Sequence, residues 1–188
     1  APPWPRPGDK DAPLSERDAK IDAMLAKQEI ADVMARYARG VDRGDEALLR
    51  SCYHDDAIEE HGSTYTGPAQ TYIGEAVPRI KKMGPMAHYI CNMHVELDNE
   101  TAYVETYLIT FARFQKDGED YDTLTGGRIC DRFEKRDGAW KIAHRKVAFD
   151  WNHDMPSNQG WCLGMFNPDH PGMNFGSKDK SDLSYARF

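Results

Sequence analysis

TAYVETYLITFARFQKDGEDYDTLTGGRICDRFEKRDGAWKIAHRKVAFD, residues 101–150, is the stretch that decides the fold. It is rich in β-branched and aromatic residues, as in YVETYLITF and around Trp140 and Ile142. Such residues fit a pleated, half-buried surface. Asp-Gly breaks the run twice, at Asp117-Gly118 and Asp137-Gly138, and Asp-Gly between two such runs is a strong hairpin signal. Strands are therefore expected over 101–115, 121–135 and 139–150. A fourth is expected over 86–97, joined through the short Asp98-Asn99 connection.

The sequence before this stretch is helical in pattern. Ser15 followed by Asp18 has the form of a capping box, and apolar residues then recur at helical spacing from Ile21 and Leu25 through Ile30, Val33, Met34, Tyr37 and Val41. Gly40 and Gly44 mark its end, and Asp45 is placed to cap a short helix from Glu46 to Tyr53. Residues 57–61 read as a short strand, GSTYTGP (62–68) as a turn cluster, and 68–82 as a second substantial helix. Helices first and an antiparallel meander last argue an α+β fold. The expected form is a cone: a curved antiparallel sheet closed by N-terminal helices around an internal pocket. Residues 1–14, with five prolines, read as an extended arm, 15–151 as one domain, and 152–188 as a tail. That tail is rich in Gly, Pro and Asn yet carries Trp161, Phe166, Phe175, Tyr185 and Phe188, so it is expected to pack, as a lid or on a neighbouring subunit.

Composition narrows the function. The chain has 188 residues and a formal net charge of −7, which argues against a nucleic-acid or anionic-membrane partner. No apolar run approaches the ~18 residues of a membrane span, and the opening APPWPRPGDKDAP has no signal pattern. Four dispersed cysteines without a CxxC fit reduced thiols in a cytoplasm better than zinc or a disulfide scaffold. GxSxG, GxGxxG and P-loop patterns are missing.

The segments KQEIADVMARYARGVDRGD (27–45), YHDDA (53–57), YTGP (65–68), AHY (87–89) and GGRICDRFEKRDGAWKIAHR (126–145) resemble the SnoaL-like branch of the nuclear transport factor 2-like superfamily over roughly residues 20–152. The resemblance implies the same cone and an enzyme of the kind found among its dehydratases and dehydrochlorinases. It also implies a catalytic pair of an aspartate after the first long helix and a histidine on a strand, which fall on Asp42 and His88. A helix tyrosine falls on Tyr37 and a last-strand arginine on Arg145. No cofactor is implied.

The residues themselves leave alternatives. Spacing alone reads His88 as an exposed strand residue and Asp42 as a helix-end residue; the resemblance turns them into a general base and the carboxylate that orients it. Tyr37 is either helix core or a proton donor to a departing oxygen. Arg145 is either a pocket charge or half of a salt bridge. Thr106, Thr110, Arg128 and Arg132 are further pocket candidates, with Tyr107 on a face the pattern does not fix. Strict alternation puts His88, Ile90, Asn92, His94 and Glu96 on one strand face and Tyr89, Cys91, Met93, Val95 and Leu97 on the other. If His88 faces the pocket, the apolar row faces out and needs a cover, so a homo-oligomer (dimer or trimer) is expected together with the pair. His88 and His94 are about 20 Å apart along a strand and cannot share an ion. The ligand-rich segment His54–His61 has no metal-site order and reads as a solvated acidic surface.

The expected function is a cofactor-independent, metal-free lyase acting on a hydroxylated aromatic or polycyclic small molecule by dehydration, elimination or retro-aldol loss of an aldehyde. The alternatives are an isomerase or cyclase on a steroid- or polyketide-like substrate, and a non-catalytic ligand-binding or scaffold protein.

Overall fold

A computed structural model describes residues 15–186 of the chain; the expected N-terminal arm lies outside them. Helix α1 (Glu16–Asp42) begins where the Ser15 side chain accepts the Asp18 N–H at 3.1 Å, satisfying one of the free donors of the first turn. Its apolar stripe is buried only from Ile30 onward; Ile21, Met24 and Leu25 are exposed, so the periodic pattern outruns the core. Asp45 caps α2 (Glu46–Ser51) through the Leu48 N–H. Strand β1 (Tyr53–Glu60), the short β2 (Thr66–Pro68) and helix α3 (Ala69–Ile80) follow. The meander then runs through β3 (Met86–Asp98), β4 (Thr101–Lys116), β5 (Glu119–Arg136) and β6 (Ala139–Pro156). At the two Asp-Gly hairpins both central residues have positive φ, 54° and 85° for Asp117-Gly118 and 52° and 78° for Asp137-Gly138, which matches the twist of the flanking strands.

The six strands lie in the order β2-β1-β6-β5-β4-β3. The meander is antiparallel as expected, but the sheet as a whole is mixed, because β1 pairs parallel to β6. The chain leaves β1 through β2 and α3 and re-enters at the far edge as β3, so the meander returns to place its last strand beside β1 in the same direction.

Bulges bend the sheet, and one of them overturns the alternation expected for β3. Ile90 pairs with Leu108 and Met93 with Thr106, so Cys91 and Asn92 together oppose Tyr107. An extra residue in one strand exchanges its faces beyond that point. His88 and Ile90 therefore face inward together with Met93, Val95 and Leu97, which pack on the core, while His94 and Glu96 point to solvent and hydrogen-bond to each other at 2.9 Å. No apolar row is forced outward by an inward His88, so the pair and a covering subunit are separate questions. The outer face carries Tyr89, Tyr103, Tyr107 and Ile109, each exposed. Strand β6 has two more bulges, opposite Arg132/Phe133 and Gly126/Gly127. A side chain at Gly127 would stand 2.4 Å from the Ala148 carbonyl oxygen, so the backbones approach there as only glycine allows.

Strand β6 takes in residues 152–156, and Asn152 and Asp154 still line the cavity. Of the tail beyond it, residues 178–185 lie against the chain's own helices, whereas Leu163, Met165, Phe166 and Phe175 stay exposed. Lys178 donates to the Ile80 carbonyl at 2.9 Å, Asp182 pairs with Arg43 at 3.1 Å, and Lys180 and the Tyr185 hydroxyl both meet Asp45. Burial would raise the Asp45 carboxyl, but hydrogen bonds from Lys180, Tyr185 and the Leu48 amide hold it below its usual range. The Ser184 hydroxyl, the Ser177 and Ser184 amides and Arg43 outweigh desolvation and hold Asp182 well below its own. A depressed carboxyl stabilises the folded form above its unfolded value, near 3.9, and loses that contribution as pH falls through the folded value. The clasp is thus expected to be complete at pH 7 and to open below about pH 4. Hydrogen-exchange protection of the Ser177 and Ser184 amides, both donors to Asp182, should fall in that window before the core amides of β4 and β5 lose theirs.

Candidate active site

The inward faces of the sheet and α1 and α3 enclose a cavity of about 790 Å³. Most of its wall is apolar, including Val41, Met86, Leu108, Ile129 and Phe149. Tyr37, His61, Tyr72, His88 and Thr110 are among the polar groups set into it.

His88 enters from edge strand β3, opposite Thr110 of β4. Its ring Nδ1 lies 2.7 Å from Asp42 Oδ1, and the same carboxylate accepts the His88 backbone N–H at 3.0 and 3.1 Å. Asp42 thus fixes both the strand and the ring. With Nδ1–H donated to Asp42, Nε2 of the neutral ring has its lone pair toward the cavity. Asp42 is the last residue of α1, where the helix dipole disfavours an anion. The two His88 donors offset this, and Lys178 of the tail adds a nearby positive charge. Tyr37 and Asp42, five residues apart, face different ways around α1: Tyr37 lines the cavity and Asp42 stands behind His88. The Tyr37 ring meets His88 edge-on, centroids 6.4 Å apart. Burial pushes the Tyr37 hydroxyl up to about 12, against the pull of Arg145, so it stays a neutral hydrogen-bond donor.

Arg145 is not on the cavity wall. It is completely buried beneath Tyr37, its Cζ 4.0 Å from that ring's centroid. Nε and Nη2 donate to Asp131 at 2.8 and 2.7 Å, and Nη1 donates to the Tyr53 hydroxyl at 3.0 Å. The salt bridge is what the structure has; the substrate-facing charge is not. Burial works against the guanidinium, but Asp131 holds it well above its ordinary value. Burial also lifts the Asp131 carboxyl, with Arg145 pulling the other way, so the pair is held at a real desolvation cost.

The remaining candidates divide by strand face. Thr110 lines the cavity. Thr106 shares its face but lies deeper, fully buried with its hydroxyl unpartnered among the described residues. Tyr107, Arg128 and Arg132 point the other way: Tyr107 is exposed, Arg128 is tied to Asp150 and Glu105 on the outer face, and Arg132 lies in an outer-face depression. None of these three lines the cavity.

The His54–His61 segment is a solvated acidic surface only in part: Asp55 and Asp56 are exposed, but His54 and Glu59 are buried. Its side chains disperse: His54 bonds the Glu134 carbonyl, Asp56 pairs with Arg136, and Glu60 with His144. Among the described residues no three His, Cys, Asp or Glu side chains gather as metal ligands would. Glu59 is fully buried, 3.0 Å from the Tyr53 hydroxyl and 3.1 Å from His61 Nδ1, and His61 and Tyr72 stand in the cavity wall. Strict alternation in EEH (59–61) does put Glu59 and His61 on one face, a signal that the surrounding acidic residues masked.

The SnoaL-like domain family matches residues 22–146. No curated protein matches the chain significantly in sequence. Solved structures of similar fold include a hexachlorocyclohexane dehydrochlorinase (LinA) type 2, with TM-score 0.68 and 18% identity over 82% of this chain and 99% of that one. A protein of Novosphingobium aromaticivorans provisionally assigned as a scytalone dehydratase gives 0.65 and 16%, over 74% and 93%. An NTF2-like protein with a cystatin-like fold from the same organism gives 0.56 and 17%, over 74% and 91%. At these identities the likeness is one of fold.

Proposed function

The chain belongs to the SnoaL-like domain family, and we propose that its cavity is the active site of a lyase whose chemistry is proton transfer by its own side chains. The substrate is a hydroxylated aromatic or polycyclic molecule, carried mainly by the apolar wall. His88 Nε2 removes a proton from a carbon next to a carbonyl group. Asp42 keeps the ring in the required tautomer and stabilises the imidazolium that forms. The hydroxyl of Tyr37, whose ring meets His88 edge-on, is neutral and donates to the oxygen on which charge develops. Collapse of the enolate then expels the leaving group, giving elimination.

The observation that carries this reading is the 2.7 Å His88–Asp42 contact at the wall of an open cavity. A scaffold on this fold is expected to fill that space with apolar side chains and to leave the two residues apart. The names of the fold neighbours, a dehydrochlorinase and a scytalone dehydratase, describe elimination on ring compounds and point the same way. A cavity of this size is within the range of small-molecule sites, roughly 300–1,000 Å³.

The test is a panel of hydroxylated and halogenated aromatic, bicyclic and steroid-like compounds, followed for release of water, halide or aldehyde. At least one member is expected to be turned over. Saturable binding across the panel with no turnover would make the protein a ligand carrier instead.

A further inference from the structure

We propose that His61 is a second proton-transfer residue of this site, delivering a proton to the leaving group, and that the leaving group is therefore a hydroxyl. The proposal rests on the lyase reading above and adds to it the acid and the class of bond broken.

The geometry puts two carboxylate-bound histidines in one cavity. His88 comes from edge strand β3, and His61 directly follows β1 near the opposite edge, with β4, β5 and β6 between them in the sheet. Curvature brings both into the lining of the same cavity. Each has Nδ1 bonded to a carboxylate, Asp42 at 2.7 Å and Glu59 at 3.1 Å. Neither Nε2 has a hydrogen-bond partner among the described residues. The His61 ring is held in place: Tyr72 stacks on it at 5.1 Å and Phe149 meets it edge-on at 5.9 Å.

A chain of hydrogen bonds runs beneath His61. Arg145 can only donate, so the Tyr53 hydroxyl accepts from Arg145 Nη1 and passes its own hydrogen to Glu59 Oε2. With Glu59 ionised, its other oxygen accepts from His61 Nδ1–H, and the Tyr72 hydroxyl lies 3.2 Å from the same nitrogen. Arg145, Asp131 and Glu59 are all completely buried and together carry one formal negative charge in excess. Of the groups bonded to this cluster, His61 is the one that also lines the cavity.

A base and an acid lining one cavity suit one kind of elimination. Chloride departs with its electron pair unaided, whereas hydroxide is a poor leaving group and needs a proton. In the proposed step, His88 Nε2 takes the proton from carbon and the C–H electron pair becomes the new C=C bond. The C–O bond breaks with its pair on oxygen, and His61 Nε2–H protonates that oxygen to give water. His88 then returns its proton to solvent and His61 regains one, which restores both.

The experiment uses 3-hydroxy-1-tetralone and 3-chloro-1-tetralone, which lose water and HCl respectively to give the same product, 1-naphthol, read by fluorescence after subtraction of the uncatalysed rate. His61→Gln is expected to lower kcat/KM on the alcohol by about 10²-fold or more, and on the chloride at least tenfold less than that. Glu59→Gln, which leaves the imidazole in place, should show the same split at smaller size, and His88→Ala should lower both arms. Equal losses of His61→Gln on the two compounds, or none on the alcohol, overturn the proposal. A wild-type protein that eliminates the chloride alone overturns it while leaving the lyase reading standing. Undiminished activity of His88→Ala, or wild-type activity on neither compound, removes the lyase reading and this proposal with it.

Discussion

Alanine at position 88 is expected to lower kcat/KM by about 10²–10⁴-fold on any substrate the protein turns over, the range that general-base catalysis contributes. The imidazole is the group in the cavity whose orientation is fixed twice. Asp42 bonds its ring at 2.7 Å and its backbone N–H at 3.0 and 3.1 Å. The backbone bond survives the substitution and β3 keeps its pairing with β4, so the variant should melt close to the wild type. Asp42→Asn separates the two tasks of the carboxylate. The amide oxygen can still accept a hydrogen, but the negative charge opposite the imidazolium is gone, so kcat should fall more than KM rises. Wild-type kcat/KM in His88→Ala, measured on the same substrate and with a matching urea melt, would rule out His88 as the base.

Most of the fold was legible because its signals are local. The Ser15 cap, the two Asp-Gly hairpins and the β-rich runs each depend on a few neighbouring residues, and the elements stand within a few residues of where those signals put them. What was not legible depends on pairing across the sheet. The extra residue at Cys91-Asn92 shows only in the register against β4, yet it reverses the face of every residue from Met93 to Leu97. The parallel partner of β1 is likewise set by how the chain returns from α3. The site followed the same rule. Asp42 and His88 were reached through a resemblance and not through spacing, since a helix end and a strand 46 residues apart carry no local mark of contact. Arg145 drew notice as a charge among apolar neighbours, but sequence could not say that Asp131 answers it. His61 was read by the acidity of its surroundings, whereas its face and the burial of Glu59 set it in the cavity lining.

Arg145→Met is expected to cost about 3–5 kcal/mol, the usual effect of removing one partner from a buried ion pair. Arg145 and Asp131 are joined by two hydrogen bonds at zero side-chain exposure. Without the guanidinium, two buried carboxylates, Asp131 and Glu59, face one another's field with no cation beneath Tyr37. At about 2–4 °C per kcal/mol for a protein of this size, the melting temperature should fall by roughly 6–20 °C. Arg145→Met combined with Asp131→Leu distinguishes charge from architecture. Replacing both partners by apolar residues of similar volume is often near neutral, so the double variant should regain most of the lost stability. Activity should not return with it. Arg145 positions Tyr37 through the 4.0 Å contact under its ring, and the double variant lacks that support, so kcat should stay about tenfold below wild type, an effect of roughly 1.4 kcal/mol on the barrier. Full activity in a restored double variant would reduce the buried arginine to a structural role and leave Tyr37 to be held by its packing against Tyr53 and His88 alone.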